Sequence, residues 1–442
     1  MSSELLEIAR ATVQSARKKG ARDVRAAVYR SRESVVEWRN GKLDRVREST
    51  KAGLSVSLYV DGRYSSNTTS DLRRDAIDRF LSETVAITRV LQPDPHRRLP
   101  DPRRYRGRHT GDLQLYDAKG AAEMTSGERR RVAAALEAGA RAAPGAERIL
   151  VVTSTCSDSR GESALVASNG MEGTRQGTNF SMFAMAVVKD VGARKPTGYW
   201  YASARQRAAL PSPESVGREA ARRANLCVGE KPAKSGLYPC IIENAVVERL
   251  LFGLLGPLSG NAIQQRRSFL AGRIGKTVAA PLLTITDEPL LPGGLDSRPY
   301  DGEGMSTVSR PVVEKGVLRT YFLDTYYANK LGMEPTIAEP TNLAFVPGKR
   351  DLVGLLRAVN NGILVTAFSG GNTNPANGDF SIGIRGQWIE KGEVVRPVAE
   401  MNLAGSHRDL WRKLEEVGSD PYLSSSVRSP SLRFSAMQFS GV

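Results

Sequence analysis

Histidine occurs only three times in 442 residues, as His96, His109 and His407. No two of them stand in His-Glu-x-x-His or His-x-x-x-His spacing, which excludes the classical zinc hydrolase sites built on imidazole pairs. Cysteine is equally sparse. Cys156, Cys227 and Cys240 form no C-x-x-C pair and are odd in number, which argues against a zinc knuckle or a disulfide framework and favours a reducing compartment. Long hydrophobic runs are missing too. The most apolar window, 245–258, is interrupted by Glu248 and Arg249 and falls short of the roughly 20 residues a membrane-spanning helix needs. The first residues, Met1-Ser2-Ser3-Glu4, place no basic segment ahead of an apolar one, so a cytoplasmic protein without a membrane span is expected.

What is present reads as a folded chain. Apolar residues make up 40% and charged residues 25%, near the averages for globular proteins, and the length suggests three domains or one large core with a satellite at about 150 residues per domain. The formal charge of +16 favours acidic partners or nucleic acid. The arginine doublets and triplets (Arg97-Arg98, Arg103-Arg104, Arg129-Arg130-Arg131, Arg222-Arg223, Arg266-Arg267) are dispersed, however, and no aromatic-interleaved strand accompanies them. Solvated helix faces are the expectation, and nucleic acid is disfavoured as a partner.

Along the chain, Ser3 caps a helix carrying Leu5, Ile8, Ala9, Val13 and Ala16 at helical spacing, with Gly20 placed to end it. Alternating strands follow at 24–28, 34–39 and 54–60, joined by Asn40-Gly41 and closed by Asp61-Gly62. A second helix is expected over 71–91. The stretch 92–109 is rich in proline and arginine, which suits an extended connector. Beyond it come a helix over 121–142, strands at 149–155, 164–168, 179–189 and 199–204, and a helix over 212–224. From 237 onward a helix near 246–255 precedes short strands with Gly, Pro and Asn turns, typical of curved antiparallel sheets or barrels. The predicted fold is therefore α+β: an N-terminal α+β domain (1–95), a basic Pro/Arg linker (96–110), a central α+β domain (111–232) and a large, mainly antiparallel β domain (233–442).

Candidate chemistry is thin. Ser406-His407-Arg408-Asp409 has triad residue types, but neighbours on one turn do not converge on one substrate atom, so it reads as a helix cap. Gly275-Lys276-Thr277 lacks the earlier glycine of a phosphate loop, since Leu270 stands there. Asp287, Glu288, Asp296, Asp301 and Glu303 supply hard oxygen ligands but match no ligand loop. They leave open an autonomous metal-dependent hydrolase as one alternative.

A longer pattern is more specific. Leu282-Leu283-Thr284-Ile285-Thr286-Asp287-Glu288-Pro289-Leu290-Leu291-Pro292-Gly293-Gly294-Leu295, followed by Ser297-Arg298-Pro299-Tyr300-Asp301-Gly302-Glu303-Gly304, resembles the TldD/PmbA family. The resemblance continues through Leu323-Asp324-Thr325-Tyr326, Pro340-Thr341-Asn342-Leu343, Asn374-Pro375-Ala376-Asn377-Gly378-Asp379-Phe380 and Thr197-Gly198-Tyr199-Trp200-Tyr201-Ala202-Ser203-Ala204-Arg205, covering nearly the whole chain.

The resemblance implies a cytoplasmic proteolytic complex of two related subunits, one TldD-type and zinc-bearing, the other TldE- or PmbA-type and without zinc. Catalytic members carry His-Glu-x-x-x-His on the first helix of the third domain, ahead of the Gly-x-x-Gly matched by Gly272-Arg273-Ile274-Gly275. Counting back lands on the turn 251–256, where Leu251, Phe252 and Gly256 occupy the motif positions. The turn is expected to be buried, and its groups cannot bind zinc or polarise water. The catalytic chain's cysteine near the C-terminus also has no counterpart in 418–442. The chain therefore resembles the TldE type, with no catalytic residue, no cofactor of its own, and zinc in a TldD-type partner. The resemblance leaves a homodimer open when that partner is absent. Its implied role is to help enclose a cavity in which unfolded peptides are cleaved. Gly370, Gly371, Asn372 and Asn374 are placed on the cavity wall by this reading and in a plain turn by residue type alone. The segment 334–339 is shorter than the family leads one to expect, and the linker more basic. The family's older label, modulator of DNA gyrase, keeps a DNA- or gyrase-associated binding protein as the other alternative.

Overall fold

The computed structural model describes residues 2–442. Helix α1 (Ser2–Lys18) buries Leu5, Ala9, Val13 and Ala16 and ends where Gly20 turns left-handed at φ 101°. There the amide of Ala21 donates to the carbonyl of Ala16, closing the turn. Strands β1 (Asp23–Arg39), β2 (Lys42–Val60) and β3 (Arg63–Thr69) follow as a meander. Both connections are two-residue turns with both φ angles positive: Asn40 and Gly41 at 48° and 79°, Asp61 and Gly62 at 49° and 76°. This turn type matches the twist of the strands it joins. Helix α2 (Arg74–Arg89) then lies beside α1 on the same sheet face.

The connector is not the loose spacer expected from its composition. Leu99 and Tyr105 are buried, and the Arg97 guanidinium is held between the rings of Tyr64 and Tyr326, 4.4 and 3.4 Å from their centroids. Arg98 binds Asn329 and Arg104 binds Glu334. The long arginine side chains make the segment a strap between the first and third units, since their aliphatic stems pack while their heads find partners.

The helix expected over 121–142 is two, α3 (Ala118–Glu123) and α4 (Ser126–Arg141), because Thr125 caps the second by accepting from the amide of Glu128 at 3.2 Å. Strands β4 (Ile149–Ala167), β5 (Glu172–Val188) and β6 (Thr197–Ala204) and helix α5 (Pro213–Asn225), capped by Ser212, complete the central unit. The first two units share one sheet, ordered β3-β2-β1-β4-β5-β6, because β1 pairs with β4 from Arg25↔Ala167 to Arg39↔Thr153. Helices α1 and α2 cover the β1–β2 end of this sheet. Helices α4 and α5 cover the β4–β6 end, packing Val132, Leu136, Val216 and Ala220 against Phe180, Met182 and Ala184.

The third unit begins with β7 (Gly236–Ile242), α6 (Asn244–Leu255) and α7 (Gly260–Gln264). Next come β8 (Ile285–Asp287), β9 (Arg310–Glu314), β10 (Val317–Leu318), α8 (Thr325–Leu331), β11 (Leu343–Phe345) and α9 (Leu352–Leu356). It ends with β12 (Asn361–Thr373), β13 (Asp379–Glu390), β14 (Glu393–Ser406), α10 (His407–Leu410), β15 (Leu414–Val417), β16 (Val427–Arg428) and β17 (Leu432–Ser440). Strands β14-β13-β12-β7-β17 form a barrel closed by pairing of β14 with β17, and β15 extends it from β17. A smaller sheet, β10-β9-β8-β11-β16, packs into the same core. The α+β class and the curved antiparallel third unit agree with the expectation from sequence. Two further hairpins, β9–β10 through Glu314-Lys315-Gly316 and β13–β14 through Glu390-Lys391-Gly392, have turns of the β1–β2 type, with Lys315 and Gly316 at 48° and 77° and Lys391 and Gly392 at 52° and 83°.

Candidate functional site

Helix α6 carries the turn on which the sequence reading depends. Its Val247, Leu250, Leu251, Leu254 and Leu255 are buried, so one stripe faces the barrel and the other faces outward. Leu251 has no exposed surface, whereas Phe252 is 53% exposed and a Cβ built on Gly256 would meet nothing within 4 Å. The turn is therefore buried on one side only, a departure from the buried turn expected. At 100° per residue, positions 252 and 256 lie roughly 40° apart on the outer face while 251 points into the core. These positions present an alkyl chain, a phenyl ring and a hydrogen, none of which donates a lone pair, so they do not fit zinc. Among the described residues no three His, Cys, Asp or Glu side chains gather in a metal-holding group.

Behind this turn lies His407. Its imidazole is buried among Phe269, Phe380 and Trp411, and its Nδ1 accepts from the Trp411 indole at 3.3 Å. Its Nε2 has no partner and abuts Gly253, where an added Cβ would stand 2.0 Å away. Burial pushes the imidazole down to about 4. Ser406 caps α10 through the amide of Arg408 at 3.3 Å, so Ser406, His407 and Asp409 serve a helix end and a core contact.

The segment Gly370–Asn374 ends β12 in an exposed bulge, with Gly370 and Gly371 at φ 58° and 83°. A Cβ on Gly371 would stand 2.4 Å from the Ser381 carbonyl, so backbone crowding and backbone angle both demand glycine there. The Asn374 carboxamide accepts from the amide of Ala376 at 2.9 Å, a local turn contact, while Asn372 is exposed. Arg249 of α6 reaches the Gly370 carbonyl at 3.5 Å. The bulge and the outer face of α6 are thus neighbours, while Leu251 is turned away from both.

The acidic loop is dispersed into separate jobs. Asp287 accepts from the amide and hydroxyl of Thr341 at 2.6 and 2.5 Å. Asp301 closes its own turn on the amides of Glu303 and Met305. Glu303 accepts from the amide and hydroxyl of Thr325 and lies 3.5 Å from Arg25 of β1. Burial raises the pKa of all three carboxyls. They fasten loops to one another and to the first sheet rather than facing a common point.

Two recesses beside α6 follow strand β6. The Pro196 carbonyl accepts from the Val188 amide, and the β5–β6 register then directs the backbone groups of 198, 200, 202 and 204 toward β5. Those of 197, 199, 201 and 203 point away from the sheet. Close packing fixes the strand, since a Cβ on Gly198 would stand 2.0 Å from the Ala224 amide of α5. Two outward carbonyls are already taken: Thr197 accepts from Arg385 at 3.2 Å and Tyr201 from the Tyr422 hydroxyl at 2.8 Å. Tyr422 also meets the rings of Trp200 and Tyr201 edge-on.

Tyr201 lines recesses on both sides of this contact. One, of about 310 Å³, is walled by Tyr199 and Trp200, by Val246 of α6, by Leu352 and Leu356 of α9, and by Leu364, Arg385 and Gln387 of the barrel. Each of its charged groups has a partner: Arg222 pairs with Glu219 at 2.7 Å, Arg223 with Glu243 at 2.6 Å and Arg385 with Glu230 at 2.9 Å. Cys227 borders it, but burial raises the thiol to about 11, so it is protonated and not a nucleophile at neutral pH. The other recess, of about 500 Å³, is polar, lined by Ser203, Arg205, Glu248, Asp296 and Ser424–Ser426. There Ser425 donates to Glu248 at 2.8 Å. Sequence reasoning quoted Thr197–Arg205 for its family likeness but gave Tyr199 no role, and it passed over Tyr422. The aromatic run at 199–201 signals a strand, but its place at the sheet edge beside a cleft depends on segments distant in sequence.

Known proteins supply an independent comparison. Residues 235–441 match the PmbA/TldA metallopeptidase C-terminal domain, 119–227 the central domain and 24–88 domain 1 of the same family. The metalloprotease PmbA of Escherichia coli O157:H7 is 28% identical over 419 residues, spanning 94% of this chain and 91% of that protein. A crystal structure from Bacteroides thetaiotaomicron, labelled a modulator of DNA gyrase, is 38% identical with a TM-score of 0.94, covering 99% of this chain and 98% of that one. TldE of Thermococcus kodakarensis, at 20% identity, shares the fold with a TM-score of 0.87 over 98% of this chain and all of its own.

Proposed function

Because the chain belongs to the PmbA/TldD metallopeptidase family, we propose that it is the PmbA-type, non-catalytic subunit of a two-subunit zinc peptidase, paired with a TldD-type homologue that holds the metal. One observation supports this reading: Leu251, Phe252 and Gly256, which the family resemblance sets at the His-Glu-x-x-x-His positions, offer neither a ligand nor a general base. The outward face of α6, the Gly370–Asn374 bulge and the recesses along β6 then form this chain's share of a chamber wall. In that chamber the partner cleaves unfolded peptides and small proteins. Selection by backbone rather than by sequence suits such a chamber, because an extended peptide can hydrogen-bond to an exposed strand whatever its side chains.

The test pairs composition with activity. Purified alone, the chain is expected to contain no stoichiometric zinc and to leave peptides intact. Mixed with a homologue carrying the intact motif, it is expected to form a stoichiometric complex whose peptidase activity is chelator-sensitive. Chelator-sensitive turnover by the single chain would overturn the assignment and favour the autonomous enzyme.

A further inference from the structure

We propose that the 310 Å³ recess between β6 and the barrel is a second peptide-contact site, one that accepts a single apolar side chain of an extended peptide. It rests on the reading of this chain as part of a peptidase but concerns binding by this chain alone. Three observations converge on it. The outward amide and carbonyl of Tyr199 lie between two carbonyls that are already occupied, Thr197 by Arg385 and Tyr201 by Tyr422. An incoming strand therefore finds one donor and one acceptor on one residue, the pair an extended peptide residue can match. Next to that pair, the recess offers Val246, Leu352, Leu356 and Val394 as wall, and Arg222, Arg223 and Arg385 at its border already hold Glu219, Glu243 and Glu230. Charges that already have partners leave the apolar wall as the main contact for a guest, so a charged side chain would be desolvated there without a free counter-charge.

Arg385 and Tyr422 also act as end stops. A longer added strand would have to break both of their hydrogen bonds, so the site reads one residue and not a sequence. This is narrower than open-ended strand addition. It predicts that the chain discriminates by the character of one side chain while the backbone supplies the alignment.

The experiment uses the full chain and blocked pentapeptides with leucine or aspartate at the centre, followed by tryptophan fluorescence, because Trp200 lines the recess. Saturable binding of the leucine peptide is expected, with the aspartate peptide weaker by about tenfold or more. Val394, 38% exposed at the rim, can be changed with little effect on folding. Val394→Asp is expected to weaken the leucine peptide about tenfold, whereas Val90→Asp, at an exposed position beyond α2 in the first unit, leaves it unchanged. Tyr199→Pro removes an amide that faces away from β5, a substitution an edge strand tolerates, and should cost roughly fivefold through one lost hydrogen bond. Absence of saturation with the leucine peptide, equal binding of both peptides, or undiminished binding by Val394→Asp overturns the proposal. Metal content and complex formation are read separately, so a chain that pairs with its homologue but ignores the peptides refutes this site and leaves the subunit assignment standing.

Discussion

Replacing Gly253 by alanine tests the packing behind the motif turn. The added Cβ would stand 2.0, 2.4 and 2.8 Å from Nε2, Cε1 and Cδ2 of His407. The imidazole has no room to retreat, because Phe269, Phe380 and Trp411 surround it and its exposure is 1%. Overpacking of this kind costs about 1–3 kcal/mol. Alanine in a helix interior is favoured over glycine by about 1 kcal/mol. The net expectation for Gly253→Ala is a loss of up to roughly 2 kcal/mol, the difference of those two effects. In a His407→Ala background the obstacle is gone, and the same change should become neutral or stabilising by up to about 1 kcal/mol. The double-mutant cycle should therefore return a coupling of about 2 kcal/mol. Urea unfolding followed by tryptophan emission and by far-UV circular dichroism measures each corner, with unchanged m-values showing that the transition itself is the same. Additivity within about 0.5 kcal/mol would refute the claim that the imidazole is wedged against the helix.

Two further outcomes follow from named side chains. Burial lowers the His407 pKa from 6.5 to about 4, so the folded state binds this proton less readily than the unfolded state does. Its contribution is complete above pH 6.5 and is lost as pH falls toward 4. That difference in proton affinity between the two states corresponds to about 3 kcal/mol. His407→Gln should lack that component, and identical pH dependences of urea stability in the two proteins would show that the imidazole is not buried neutral. Leu251→His, which restores a ligand type at the motif position, should destabilise the chain by about 2–5 kcal/mol because the imidazole enters the core unpaired. Elemental analysis should find no zinc gained, and a stoichiometric metal in that variant would contradict the inward orientation of position 251.

The turns and capped helices were legible because their causes are local. Asn40-Gly41, Asp61-Gly62, the Ser406 cap and the apolar stripe of α1 each need only a few adjacent residues, and all stand where the sequence places them. Strand lengths were not. Ser31–Ser34 of β1 and Ser157–Ser163 of β4 are polar, so their periodicity is weak, yet each finds its partner across the β1–β4 ladder. That ladder joins residues more than a hundred positions apart, beyond the reach of any local pattern, which is why two units read as separate share one sheet. The absence of ligands at 251, 252 and 256 was visible in the sequence, but the inward turn of Leu251 and outward turn of Phe252 needed the barrel. The recess along β6 was illegible for the same reason, since its walls come from 197–201, 352–364 and 385–394.

The shared sheet also sets an order of events during synthesis. Once residues 23–60 have emerged, the first hairpin can form, but the side of β1 that meets β4 offers fifteen residues no neighbour until 153–167 leave the ribosome. During that interval the nascent chain displays a long open strand edge of the kind that recruits other chains. A fragment ending at the connector would keep that edge permanently, so the first unit is a poor candidate for expression on its own and a natural client for a chaperone that shields strands.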